Sequence, residues 1–190
     1  MVYRTISQRR VLLSVVCVSW LVGCPVFPPG DNQTPSQQIL DMEQDAFDLV
    51  NQERVNEGLE PLLMDESVRT VGRAHSRDMA ARDFFDHVNP DGDGPAERLH
   101  DAGISYTLMG ENIAWSNYPN PITTVVDAWM DSPGHQANIL HAGFTHTGMG
   151  VAADGSGGYY FTQDFVTFSK DGAPGPTTEY CPIPLAVGER

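Results

Sequence analysis

Apolar side chains recur at helical spacing over the first two thirds of this chain and run together at strand length near its end. Ile39, Met42, Ala46, Leu49 and Val50 line one face of a helix predicted to start near Ser36 and to run to about Asn56, with Gly58 just past its end. Asp41, Glu43, Asp45 and Asp48 fall mostly on the other face or in the early turns, which reads as a solvated helix face. Asp65 is placed to cap a second helix from Glu66 to about Arg82, in which Val68, Val71, Ala74, His75 and Met79 share a face. Gly94-Pro95 opens a short third helix through Leu99 to Ala102, with Gly103 as its exit. Ile122, Val125, Val126 and Trp129 recur at i, i+3, i+4 and i+7, the stripe of a fourth helix. Ser132-Pro133-Gly134 is expected to stop it and to leave His135 on a tight corner.

Between these helices, Ile104 to Met109 reads as a strand feeding into Glu111. Gly148 to Ala152 and Tyr159 to Phe168 read as two more, joined by the glycine-rich Asp154 to Gly158 and paired antiparallel. Helices first and strands later, with little regular alternation, predict an α+β layered domain rather than a parallel sheet. From Lys170 onward proline, glycine and threonine dominate, and an irregular tail is expected.

The ends of the chain speak to compartment. Arg4, Arg9 and Arg10 precede an apolar run from Val11 to Val22, about 12 residues, too short for the roughly 20 of a membrane-spanning helix and suited to a secretory signal. Leu21-Val22-Gly23-Cys24 looks like a bacterial lipobox, which would make Cys24 the lipid-bearing first residue of an envelope-anchored protein; the other reading is an ordinary cleaved signal and a secreted chain. Pro25 in place of aspartate after the lipobox cysteine would favour the outer membrane in a Gram-negative cell. The expected organisation is therefore signal 1–23, tether 24–38, one domain over 39–169 and a tail over 170–190. Cys17 leaves with the signal and Cys181 then has no mate, so the domain is expected to hold without a disulfide; were the lipobox false, Cys24 and Cys181 could pair. Loss of three of the 11 basic residues leaves eight against 25 acidic ones, a formal charge of −17 that repels phosphate backbones and argues against a nucleic-acid partner.

Chemistry concentrates between Gly110 and His135. Glu111 and Asn112 sit between Gly110 and the apolar Ile113-Ala114, and a carboxylate carried into such company needs a partner. His87 follows Phe84-Phe85-Asp86 at the edge of the turn Asn89-Pro90-Asp91-Gly92. His87, Glu111 and His135 are each 24 residues apart, a spacing that only the fold can turn into a site. His75, on the apolar face of the second helix, reads as a hydrogen-bonded core residue that could support the site from behind.

Leu49 to Arg54, Ala74 to Ala80, Phe84 to His87, Gly110 to Trp115, Trp129 to His135, Asn138 to Leu140 and Tyr160 to Phe165 stand in an order that resembles the CAP superfamily, the SCP-like extracellular domain, in its bacterial branch, over about Ile39 to Phe168. The resemblance implies an α-β-α sandwich of helices around a small antiparallel sheet. It also implies a central cleft lined by two histidines and two acids, which hold zinc in some members. His87, Glu111 and His135 match three of those four and form the candidate zinc set; the second acid falls on Ser132, with Asp131 beside it able to substitute only if the helix end turns it inward. Asn112 completes the candidate cleft.

Two imidazoles, a carboxylate and a water are a reasonable zinc set, and an open position would allow a metal-bound hydroxide. Three classes of function are open: a module whose cleft takes a small apolar or peptidic ligand of the cell envelope, a metal-dependent hydrolase of peptide or cell-wall material with Glu111 or His87 as base, and a purely adhesive surface protein. No Gly-x-Ser-x-Gly elbow and no His-Glu-x-x-His helix is present, which favours the binding module.

Overall fold

The structure is a computed structural model that describes residues 34–170, 179–180 and 185–187. The proposed signal, the lipobox Cys24 and Cys181 lie outside the described residues. Ser36 caps α1 (Gln37–Asn56) by accepting from the Ile39 amide, so residues 37 and 38, assigned above to the tether, belong to its first turn. The two-residue strand β1 (Leu63–Met64) leads to Asp65, which accepts from the Ser67 and Val68 amides and starts α2 (Glu66–Arg82) at the predicted residue. α3 (Pro95–Asp101) has proline in its first turn and Glu97 accepting from the Gly94 amide. After it come β2 (Tyr106–Ser116), α4 (Pro121–Asp131), α5 (Pro133–Ile139), β3 (His146–Ala153), β4 (Tyr159–Phe168), β5 (Glu179–Tyr180) and β6 (Leu185–Val187).

The sheet runs β1-β3-β4-β2-β5, with β6 also on β2. Its centre, β3-β4-β2, is antiparallel as expected, but β1 pairs parallel to β3, and β5 and β6 parallel to β2, so the sheet is mixed. The tail is thus not wholly irregular. β2 extends to Ser116 and carries Glu111 in its middle instead of feeding into it; both of its faces are covered, and a strand buried on both sides loses the alternation by which strands are recognised.

One face of the sheet packs Ala114, Met149, Val151, Phe161 and Phe165 against Met42, Ala46 and Val50 of α1, Val125, Val126 and Trp129 of α4, and Ile139 of α5. The other packs Met109 and Val166 against Val68 and Val71 of α2 and Leu99 of α3. This is the three-layer α-β-α sandwich. The approach of α2 to β3 is close enough to demand glycine: a Cβ on Gly148 would stand 2.2 Å from the Arg69 nitrogen, and one on Gly150 2.1 Å from that of Arg73.

One reading of α1 is corrected. Asp41, Asp45 and Asp48 are exposed, but Glu43 is fully buried, accepting from Arg69 and Arg73 of α2 and from the Val151 amide of β3. It lies next to Met42 on the flank of the apolar stripe, and the i,i+4 arginines of α2 reach it there. The supposed solvated acid is the ionic joint of three elements.

Candidate functional site

Glu111 is 0 % exposed and pairs across the ladder with Asp164, so both carboxyls stand on the α2–α3 face of the sheet. The partner its position demands is in fact two. His87 brings Nδ1 to 2.6 Å from Oε1, and Arg98 of α3 donates from Nη2 to Oε2 at 2.5 Å. An ionised carboxylate only accepts, so His87 carries its proton on Nδ1. Burial opposes the charge on Glu111, but the Arg98 cation and the His87 hydrogen bond outweigh it and hold the carboxyl at about 2. Arg98 also donates from Nη1 to the carbonyls of His87 and Asp93, at 2.7 and 3.0 Å, and so fastens the loop after α2 to β2.

His75, 1 % exposed, donates from Nε2 to the Asp86 carbonyl at 3.0 Å, since a carbonyl can only accept; its Nδ1 is buried without a partner. Its hydrogen bond fixes the backbone of Asp86, the residue next to His87. Burial pulls His75 down to about 4, against a partial upward pull from the Glu111 charge.

His135 departs from expectation. Pro133-Gly134 ends α4 but also begins α5, proline being well suited to a first helical turn, so His135 rides on that turn, 2 % exposed, and does not stand on a tight corner past the end of a helix. Its Nδ1 lies 2.8 Å from Ser132 Oγ, and Nε2 is buried without a partner. Burial, then its closeness to the His87 imidazole, brings it down to about 4. Asp131 is exposed and does not turn inward; Ser132 is half-buried and serves His135. Asn112, one residue on from Glu111, points to the opposite face, donating to the His135 carbonyl and accepting from Asn138.

Two members of the cluster were not anticipated. Arg98, on a seven-residue helix 13 positions before Glu111, has no sequence signal that ties it to the site. Asp164 had one: it falls in register with apolar Tyr160 and Val166 on one face of a buried strand. Neither Asp164 oxygen has a conventional partner in the described structure; burial first, and the Glu111 charge second, raise it well above the carboxylate range, and in its protonated form it can donate toward Glu111.

The arrangement does not fit zinc. Among the described residues no three His, Cys, Asp or Glu side chains are grouped to hold a metal ion, and both Glu111 oxygens already have partners, one of them a cation. A cleft of about 360 Å³ opens elsewhere, between the start of α1 and the β2–α4 loop, lined among others by Gln38, Met42, Tyr118, Pro119, Ile122 and Tyr159. It lies beyond the far end of β2, about 20 Å along the strand from Glu111, and none of the predicted site residues lines it.

Residues 47–165 match the model of the CAP family, described as the cysteine-rich secretory protein family. The chain is similar to the uncharacterized protein YkwD of Bacillus subtilis (strain 168), 42% identical over 124 residues that make up 65% of this chain and 46% of that one. It is similar also to the uncharacterized membrane protein YlbC of the same organism, 33% identical over 65% of this chain and 34% of that one. It thus spans less than half the length of these relatives. Among solved structures it resembles an extracellular protein containing an SCP domain from Bacillus anthracis str. Ames, with 30% identity and a TM-score of 0.62 over 68% of this chain and 41% of that one. The chain is a bacterial-type member of the CAP, or cysteine-rich secretory protein, family.

Proposed function

We propose that this protein is an envelope-anchored binding module, in which the cluster around Glu111 fixes His87 and its loop at the edge of a site for a small apolar or peptidic envelope ligand. The observation that carries the reading is the saturation of Glu111: a carboxylate held at about 2 and contacted on both oxygens organises its neighbours and is a poor base. The unpartnered Nε2 of His135, buried and near His87, is a polar atom that a ligand could satisfy. Similarity to an extracellular SCP-domain protein supports a place outside the cytoplasm, and no helix among the described residues is long and apolar enough to cross a membrane.

A hydrolase is the second reading, and one observation favours it: an imidazole oriented by a buried carboxylate at 2.6 Å is the geometry of a general base. Purified peptidoglycan sacculi and a dansylated fatty acid, each titrated with the wild type and His87→Ala, separate the two. Saturable binding of at least one probe, weakened about tenfold by the substitution, with no new amine or carboxyl ends released, is the expected result. Release of such ends by the wild type and not by His87→Ala transfers the function to hydrolysis.

The anchor is assigned to Cys24. Mass spectrometry of the mature N-terminus should find a diacylated or triacylated cysteine there; an unmodified chain beginning beyond Cys24 rejects the lipoprotein.

A further inference from the structure

We propose that Arg98 is the resident cation of the Glu111 cluster, taking the place a divalent ion would need, so that this chain holds its central carboxylate without a metal. The proposal goes beyond the binding reading and stands whether the site binds or cleaves. Three contacts carry it. Nη2 of Arg98 donates to Oε2 of Glu111 at 2.5 Å, while Nη1 donates to the His87 and Asp93 carbonyls at 2.7 and 3.0 Å. The guanidinium is thus tied to two points of the α2–α3 loop besides β2 and cannot swing aside without orphaning acceptors in a region where its own side chain is only 11% exposed.

A metal ion bound by Glu111 and His87 would have to lie beside that fixed positive charge, which repels it at close range where screening by water is poor. The second acid that a four-ligand site calls for is also misplaced. Asp131 is exposed at the end of α4, and the acid that does neighbour Glu111, Asp164, is buried beneath α2, its Oδ2 3.3 Å from where a Gly72 Cβ would stand. Arginine is suited to the exchange, since it stays charged at every accessible pH and spreads its donors over several acceptors in one plane. Lysine would bring one point charge in place of three directed bonds.

Removing Arg98 should uncover what it covers: a buried carboxylate, the His87 imidazole and the adjoining Asp164, with no fixed cation among them. Untagged wild type, His87→Ala, Arg98→Ala, Arg98→Gln and the double variant Arg98→Ala/His87→Ala are titrated with zinc chloride by calorimetry at pH 7, after chelation and dialysis, with melting curves taken with and without zinc. The expected result is no saturable zinc binding by the wild type. Arg98→Ala or Arg98→Gln should gain binding by at least about tenfold over wild type, with a zinc-dependent rise in melting temperature that the double variant lacks. Two results overturn the proposal: wild-type zinc binding abolished by His87→Ala, or folded Arg98 variants that gain no zinc affinity. Should neither variant fold, the wild-type titration decides alone, its silence supporting the proposal and a His87-dependent heat rejecting it.

Discussion

Glu111→Gln should be among the most destabilising single substitutions in this domain, costing about 3–5 kcal/mol, because it leaves Arg98 and His87 around a buried position with no charge to face. For a domain of this size that corresponds to a fall of roughly 6–20 °C in Tm. Glutamine keeps the volume and one acceptor, so the loss measures charge and not packing. Asp164 moderates it. Part of what keeps that carboxyl protonated is the Glu111 charge opposite, and in Glu111→Gln it is freer to ionise and to stand in as the anion for Arg98. The full cost therefore appears in Glu111→Gln/Asp164→Asn, and urea denaturation at pH 7 of both single variants and the double reads it. A Glu111→Gln variant within 0.5 kcal/mol of wild type, the ordinary range for a surface change, would mean that Glu111 is not the neutralising partner of the cluster.

Acid is the second large lever. His75 and His135 sit at about 4 in the folded protein, against about 6.5 for a free imidazole. Between those values the unfolded chain binds protons that the folded one refuses, so stability is whole above about pH 6.5 and is lost as pH falls toward 4. With both groups neutral inside and charged outside, the loss has an upper bound of about 7 kcal/mol across the window, at about 1.4 kcal/mol per pH unit for each. Glu111 adds its own loss only later, from about 4.5 down to about 2. Asp164 runs the opposite way. Its folded carboxyl is raised, so its contribution is present at acid pH and lost as pH rises above the ordinary carboxylate range, and Asp164→Asn should lift stability on the neutral side.

The general relief of negative self-repulsion on acidification works against the histidine slope. The comparison that isolates it is the urea midpoint from pH 7 to 4.5 for wild type against His75→Gln and His135→Gln. Flatter profiles in the variants are expected; superimposable ones would show that these imidazoles take up protons while folded.

What could be read in advance follows from how local each signal is. Ser36, Asp65 and Pro95 act within a turn of themselves, and the helices they start begin where the sequence places them. Glu111 in apolar company announced its need for a partner, but not which. His87 and Arg98 reach it through a loop and a seven-residue helix, and no periodicity links them to β2. Proline after Ser132 carries two meanings, a stop for α4 and a first turn for α5, and only the packing of Ile139 and Asn138 against the sheet decides for both at once. Glu43 was misread for the same kind of reason, since its burial depends on two arginines more than 25 positions away. Asn112 and Glu111 are neighbours in sequence and stand on opposite faces, as a strand requires once β2 is known to run through both.

The coupling between Glu111 and Arg98 tests most directly whether the cluster is a self-contained ion pair on which the binding site is built. A double-mutant cycle with Glu111→Gln and Arg98→Met, read by urea denaturation at pH 7 in the presence of chelator, gives that coupling free of other contributions each residue makes. A coupling of about 2 kcal/mol or more, undiminished by the chelator, is the expected result. A coupling near zero, or one that exists only when zinc is supplied, would contradict it.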